Sequence, residues 1–376
     1  MAPNDFELCS GAPAFIASLR DELSRCHTSV FAQFMTFEGD ASGNELAEML
    51  LEKSAEGIQV RLILDCYTDV IANDILPLRV HRRRELQTER ANTRALLRRL
   101  EANGVEIKRT APPGFLWRYL LFRNHKKMVV LDDRVAFVGG INVSDHNYAW
   151  NDFMAKISGL LAGNIARDFC TTWEGSTVAL AEPAPEGDFV LNQCPGRSSI
   201  SDEIVRMIEA AERSVVIESP SLLDETLERA LLEAAQRNVQ VKVIIPARHN
   251  RWIFRIWVRA TLASLAHPNI TVYRYEGSEG MTHAKLLIVD DRSATFGSLN
   301  MFELESLTQK ELNVFTRDAA IVGELSARAA HDIASSHVGV RPRWTFGRFT
   351  YRLVFSFFQW WTGRLVRDPA WRSTYC

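Results

Sequence analysis

Two segments of this chain repeat one sparse polar pattern. The first reads NHKKMVVLDDRVAFVGGIN, with His125, Lys127, Asp132, Gly139, Gly140 and Asn142; the second reads THAKLLIVDDRSATFGSLN, with His283, Lys285, Asp290, Gly297, Ser298 and Asn300. Both obey H-x-K-x4-D-x6-G-[GS]-x-N. Identical internal spacing in two copies implies a duplicated unit whose polar residues are held in register. Fainter echoes extend the duplication: DFEL from Asp5 matches DFVL from Asp188, Ser29-Val30 matches Ser214-Val215, and IQVRLIL from Ile58 matches VQVKVII from Val239. So long a period predicts two like domains and excludes a solenoid.

The order of elements is the same in both halves. Period-2 and period-3.6 apolar patterns predict strands at 6–9 and 189–193, helices at 14–26 and 201–211, and strands at 30–34 and 215–218. Helices at 44–55 and 224–237 and strands at 59–64 and 240–245 follow. Further helices at 88–102 and 251–266 and strands at 105–109 and 270–275 lead into the motif, which reads as a hairpin turning at Asp132-Asp133-Arg134 and Asp290-Asp291-Arg292. Alternating helix and strand predicts an α/β fold, each domain a mixed sheet flanked by helices. Domains at 1–180 and 181–340 follow, divided in the Pro- and Gly-bearing stretch 176–199, with a basic, aromatic tail at 341–376. The stretch Tyr67 to Glu85 lacks a counterpart in the second half, and its RVHRRR run reads as a solvated helix start or as cover for a site entrance.

Composition narrows the class. An apolar fraction of 47% in 376 residues is enough for two cores. The net charge of −2 gives no sign of a polyanionic partner, so nucleic acid is not expected. Six cysteines without C-x-x-C or metal-ligand spacing indicate a reducing compartment. No apolar run reaches the ~20 residues that a membrane-spanning helix needs.

The motif is chemical in character. Residues two apart in a strand face the same way, which predicts that His125 and Lys127 project together, as do His283 and Lys285. Both motif positions keep lysine in a chain whose 44 basic residues are mostly arginine, pointing to a compact cation. Two imidazoles, two ammoniums and the neutral donors Asn142, Asn300 and Ser298 suit a phosphodiester. One histidine attacks phosphorus and the other protonates the leaving oxygen, then activates the acceptor. The two histidines must come from different halves. Asp132 and Asp290 fall at the turn with the opposite parity and read as turn caps. Asp152 in YAWNDF and Glu311 in TQKELN, similarly placed beyond their motif histidines, are candidates to orient the imidazoles.

These residues carry a family resemblance. With two intact HKD motifs, whose aspartates are Asp132 and Asp290, the chain resembles the phospholipase D superfamily. It looks most like the shorter, B-type bacterial cardiolipin synthases. RNHKKMVVLDDRVAFVGGIN, HAKLLIVDDRSATFGSLN, ESLTQKELN and the tail RPRWTFGRFTYRLVFSFF are the closest echoes. The resemblance implies two phospholipase D-like domains packed pseudo-symmetrically and a ping-pong reaction without metal or cofactor, through a phosphohistidine. His125 is the implied nucleophile and His283 the acid/base. Lys127, Lys285, Asn142 and Asn300 hold phosphate oxygens, Glu311 orients His125, and Asp152 orients His283. Gly140 departs from the Ser298 of the second copy, and SPSLL at Ser219 to Leu223 lacks an aromatic often seen in synthases.

The expected product is cardiolipin from phosphatidylglycerol; hydrolysis of phospholipid, or of nucleic acid by a nuclease of the same superfamily, is the alternative. The expected setting is peripheral, as a monomer on an anionic membrane surface at the cytoplasmic side of a bacterial inner membrane. Aromatics and arginines between Arg341 and Arg367 read as an interfacial helix or as a core-packing terminal helix. Arg251, Arg255 and Arg259 form a stripe that either grips lipid phosphate or is simply solvated.

Overall fold

Alternation of apolar runs with amphipathic stretches builds two α/β units, which the computed structural model describes over residues 5–72, 83–176, 187–249, 256, 262–277, 280–339 and 346–367. The described residues up to 176 form one unit and those from 187 onward the other. The RVHRRR run lies largely outside the described residues. So do the stripe Arg251, Arg255, Arg259, most of the stretch expected as helix 251–266, and the middle of the linker.

The first unit runs β1 (Phe6–Ser10), α1 (Ala12–Leu23), β2 (Ser29–Phe34), α2 (Ala41–Ala55), β3 (Gln59–Asp65), α3 (Arg84–Ala102), β4 (Glu106–Thr110), β5 (Arg123–Asn124), β6 (Met128–Leu131), β7 (Val135–Gly139), α4 (Asp145–Tyr148), β8 (Phe153–Ser158) and α5 (Leu160–Glu174). Its 7-stranded sheet has the order β1-β8-β7-β6-β2-β3-β4. β2, β3 and β4 are parallel, because α2 and α3 carry the chain back across the sheet; β6, β7 and β8 are antiparallel, because tight turns and short connections suffice. β6 and β7 are buried at every residue, which is why they read as continuous apolar runs. Phe15, Leu19, Phe34, Leu46, Leu50, Leu96 and Phe137 fill the core between helices and sheet.

The second unit repeats this plan as β9 (Phe189–Gln193), α6 (Ser199–Glu209), β10 (Ser214–Glu218), α7 (Glu225–Gln236), β11 (Gln240–Pro246), β12 (Ile270–Tyr275), β13 (Leu286–Val289), β14 (Ser293–Gly297), α8 (Glu303–Thr308), β15 (Gln309–Thr316), α9 (Ala319–Ala334), β16 (Ser336–Val338) and α10 (Phe346–Leu365). Pairing gives β9-β15-β14-β13-β10-β11-β12, the same order as the first sheet, with β16 added beside β12. Helix starts follow local capping: the Asp224 carboxylate accepts the N–H groups of Thr226 and Leu227 at α7, and Asp318 does the same for α9. α10 packs against α8, with Phe355 in the core and Thr362 and Leu365 buried.

Candidate active site

The motif histidines and lysines do not lie in the strands. His125 to Lys127 precede β6 and His283 to Lys285 precede β13, in irregular backbone, so strand alternation is not what aligns them. A local hydrogen bond does this instead. The Lys127 ammonium donates to the backbone carbonyl of His125, and the Lys285 ammonium to that of His283. Lys285 Nζ also lies 2.7 Å from His283 Nδ1. Both lysines are 1% exposed, and His125 and His283 keep 5% and 8%, so all four residues are buried. In each unit a buried ammonium in low dielectric is suited to an anionic oxygen.

Asp132 and Asp290 hold the turn to the sheet. Both adopt left-handed backbone, as do Asp133 and Asp291, a conformation that Asp tolerates better than most residues. The Asp132 carboxylate accepts the N–H groups of His27, Thr28 and Ser29 at the head of β2, together with the Thr28 hydroxyl. Asp290 accepts those of Glu212, Arg213 and Ser214 at the head of β10. Burial works to raise both carboxyls, but these donors outweigh it and hold them below the ordinary carboxylate range.

At the far end of the hairpin the two repeats solve one packing problem in two ways. Gly139 and Gly297 lie where a Cβ would come within 2.2 Å of the carbonyl oxygens of Phe153 and Leu312, so neither site has room for a side chain. At the next position the Asp152 carboxylate rests against Gly140, 2.3 Å from where a Cβ would stand, while Ser298 donates its hydroxyl to Glu311. Gly140 lacks the serine hydroxyl because the space that a serine needs is occupied by Asp152. Asp152 and Glu311 are both buried and occupy equivalent places, ahead of β8 and in β15. Asn142 accepts the Thr36 N–H at 3.3 Å, and Asn300 donates to Glu305 at 2.6 Å.

Several buried residues that no motif revealed bind the residues flanking the motif histidines. Asp65, ending β3, accepts the Arg123 guanidinium at 2.8 Å, the Asn124 N–H at 2.6 Å and the Tyr67 N–H at 2.7 Å. Burial pushes its carboxyl up despite these partners. Lys126, between the two motif residues, is paired with Asp168 of α5 at 2.6 Å, both 1% exposed. Gln33 donates to the Asn124 side chain at 2.7 Å, and Glu218 accepts the Thr282 hydroxyl. The sequence signal was a polar residue closing an apolar strand, as in RLILD and VVIE.

A duplicated α/β unit with an H-x-K hairpin in each copy defines the phospholipase D-like class. A solved phosphatidylserine synthase of Haemophilus influenzae has this fold: the TM-score is 0.68 over 97% of this chain and 94% of that one, at 12% identity. The profile of the family described as "Cardiolipin synthase, PLD-like domain" matches residues 19–173 and 204–333, and the chain belongs to that family. Similar relatives include a probable cardiolipin synthase, YwiE, of Bacillus subtilis, 26% identical over 84% of this chain, and cardiolipin synthase A of Pseudomonas aeruginosa, 28% identical over 89%. The chain spans 63% and 68% of the lengths of these two proteins.

Proposed function

We propose that this chain is a phosphatidyltransferase that makes cardiolipin from phosphatidylglycerol and a second phospholipid or alcohol. The observation that carries the proposal is the same buried lysine-on-histidine arrangement in both units of a chain from this family. His125 attacks phosphorus and forms a P–N bond as the P–O bond to the departing glycerol breaks; His283 gives that oxygen its proton. His283, now neutral, takes the proton of the acceptor hydroxyl, whose oxygen forms the new P–O bond and releases His125. Lys127 and Lys285 stabilise the non-bridging oxygens, with the amides of Asn142 and Asn300. Glu311 and Asp152 orient imidazoles. The reading requires both imidazoles at a single phosphorus.

The lipid reaches the protein from an anionic membrane face. Phe349, Leu353, Phe357 and Trp360 are more than half exposed and recur along one stripe of α10. Arg364 stacks on Trp360 at 4.8 Å, placing a cation beside that stripe. Among the described residues no helix is long and apolar enough to cross a membrane.

Incubation with phosphatidylglycerol, with lipids resolved by mass spectrometry, tests the activity. Cardiolipin and free glycerol are expected. Phosphatidic acid alone means that water is the acceptor, and cleavage of single-stranded DNA with neither lipid product means a nuclease. His125→Ala and His283→Ala should each lower turnover by ~10²–10⁴-fold; full activity in either contradicts the mechanism.

A further inference from the structure

Glu218 closes β10 and is 0% exposed. It accepts the hydroxyl of Thr282, the residue before His283. Gln33 holds the same place in the first unit: Gln33 pairs with Met128 and Glu218 with Leu286, each the third residue after its motif histidine. Gln33 likewise binds the residue before the histidine, through the Asn124 side chain. Both repeats thus tether the motif backbone to the end of the same strand. The first uses a neutral amide and the second a buried carboxylate, so the tether alone does not need a charge.

Among the described residues the surroundings of this carboxylate are more acidic than those of Gln33. Arg328 of α9 lies 3.2 Å from Glu218 and 2.7 Å from Asp332, so two acids share one guanidinium. In the first unit the charges flanking the motif are matched one to one, Arg123 with Asp65 and Lys126 with Asp168. With Lys285 counted, Glu218 and Asp332 balance Arg328 and Lys285, so removing the Glu218 charge leaves the ring beside a net positive set that disfavours its imidazolium. We propose that Glu218 is a positioning residue for His283, holding its backbone through Thr282 and biasing the ring toward the protonated form that serves the leaving group. This rests on the assignment of His283 as acid/base. Burial raises the Glu218 carboxyl to about 7, so its charge and the bias fade as pH falls below that value.

Glu218→Gln keeps an acceptor for Thr282 and copies the first repeat. With phosphatidylglycerol, kcat should fall about tenfold with KM little changed, and the alkaline limb of the kcat profile should move down by about one pH unit. Phosphatidyl-p-nitrophenol, whose leaving group departs without a proton, should release its first equivalent at the wild-type rate. Asp332→Asn removes charge without touching Thr282 and should shift the limb in the same direction by less; it carries the test should Glu218→Gln fold poorly by circular dichroism. A wild-type profile in both variants overturns the proposal, as does equal slowing of both substrates. Failure of the underlying mechanism looks different: His283→Ala then processes phosphatidylglycerol at the wild-type rate.

Discussion

Asp132 illustrates how a residue inside a reactive motif can serve the fold. Its carboxylate gathers backbone donors from the head of β2, so Asp132→Asn should lower Tm while the folded fraction keeps kcat within a few-fold of wild type. Because its folded-state pKa is depressed, its contribution is present above the usual unfolded value of about 4 and is lost as pH falls through the lower folded value. The Tm gap between variant and wild type should therefore be wide at pH 7 and close in strong acid; a gap independent of pH argues against the carboxylate network. Gly140 and Ser298 make the complementary case. Ser298→Gly removes two buried hydrogen bonds, one donated to Glu311 and one accepted from the Leu312 N–H, at a cost of about 1–3 kcal/mol. Gly140→Ser forces a side chain into the Asp152 carboxylate and should cost about 1–3 kcal/mol with a loss of activity. A Gly140→Ser variant as stable to denaturant as wild type contradicts this packing.

Among the elements, α10 is bound on one face and bare on the other. Its buried Phe355 belongs to the second core, so removing residues 341–376 should destabilise that unit as well as end liposome binding. Phe357→Asp with Trp360→Asp separates the effects, because both side chains are more than half exposed. Sedimentation with anionic vesicles should drop at least tenfold, with Tm unchanged within a few degrees; undiminished binding removes α10 as the contact. Strands and helices were legible because apolar periodicity and caps are local: β9 and β12 fall at the expected residues, and α1 differs at its ends, where Pro13 starts the helix earlier. The motif residues were legible from repetition alone. The hydrogen bond that pairs each lysine with its histidine was not, since it depends on irregular backbone before β6 and β13. Nor were Asp65, Asp168, Glu218 or Arg328, whose partners are distant in sequence and meet only when sheet and helix pack.

At the scale of the whole molecule, duplication has kept the strand order and both H-x-K hairpins while letting the supporting charges diverge. On the proposed mechanism two similar histidines do unequal work, one bonding to phosphorus and one moving protons. The chemistry is tested most directly with His283→Ala and phosphatidyl-p-nitrophenol, followed by peptide mass spectrometry. The expected result is a single stoichiometric release of p-nitrophenolate that then stalls, with a phosphatidyl group on His125, because no base remains to activate the acceptor. Continuous turnover, or release without any adduct on His125, contradicts the shared-phosphorus mechanism.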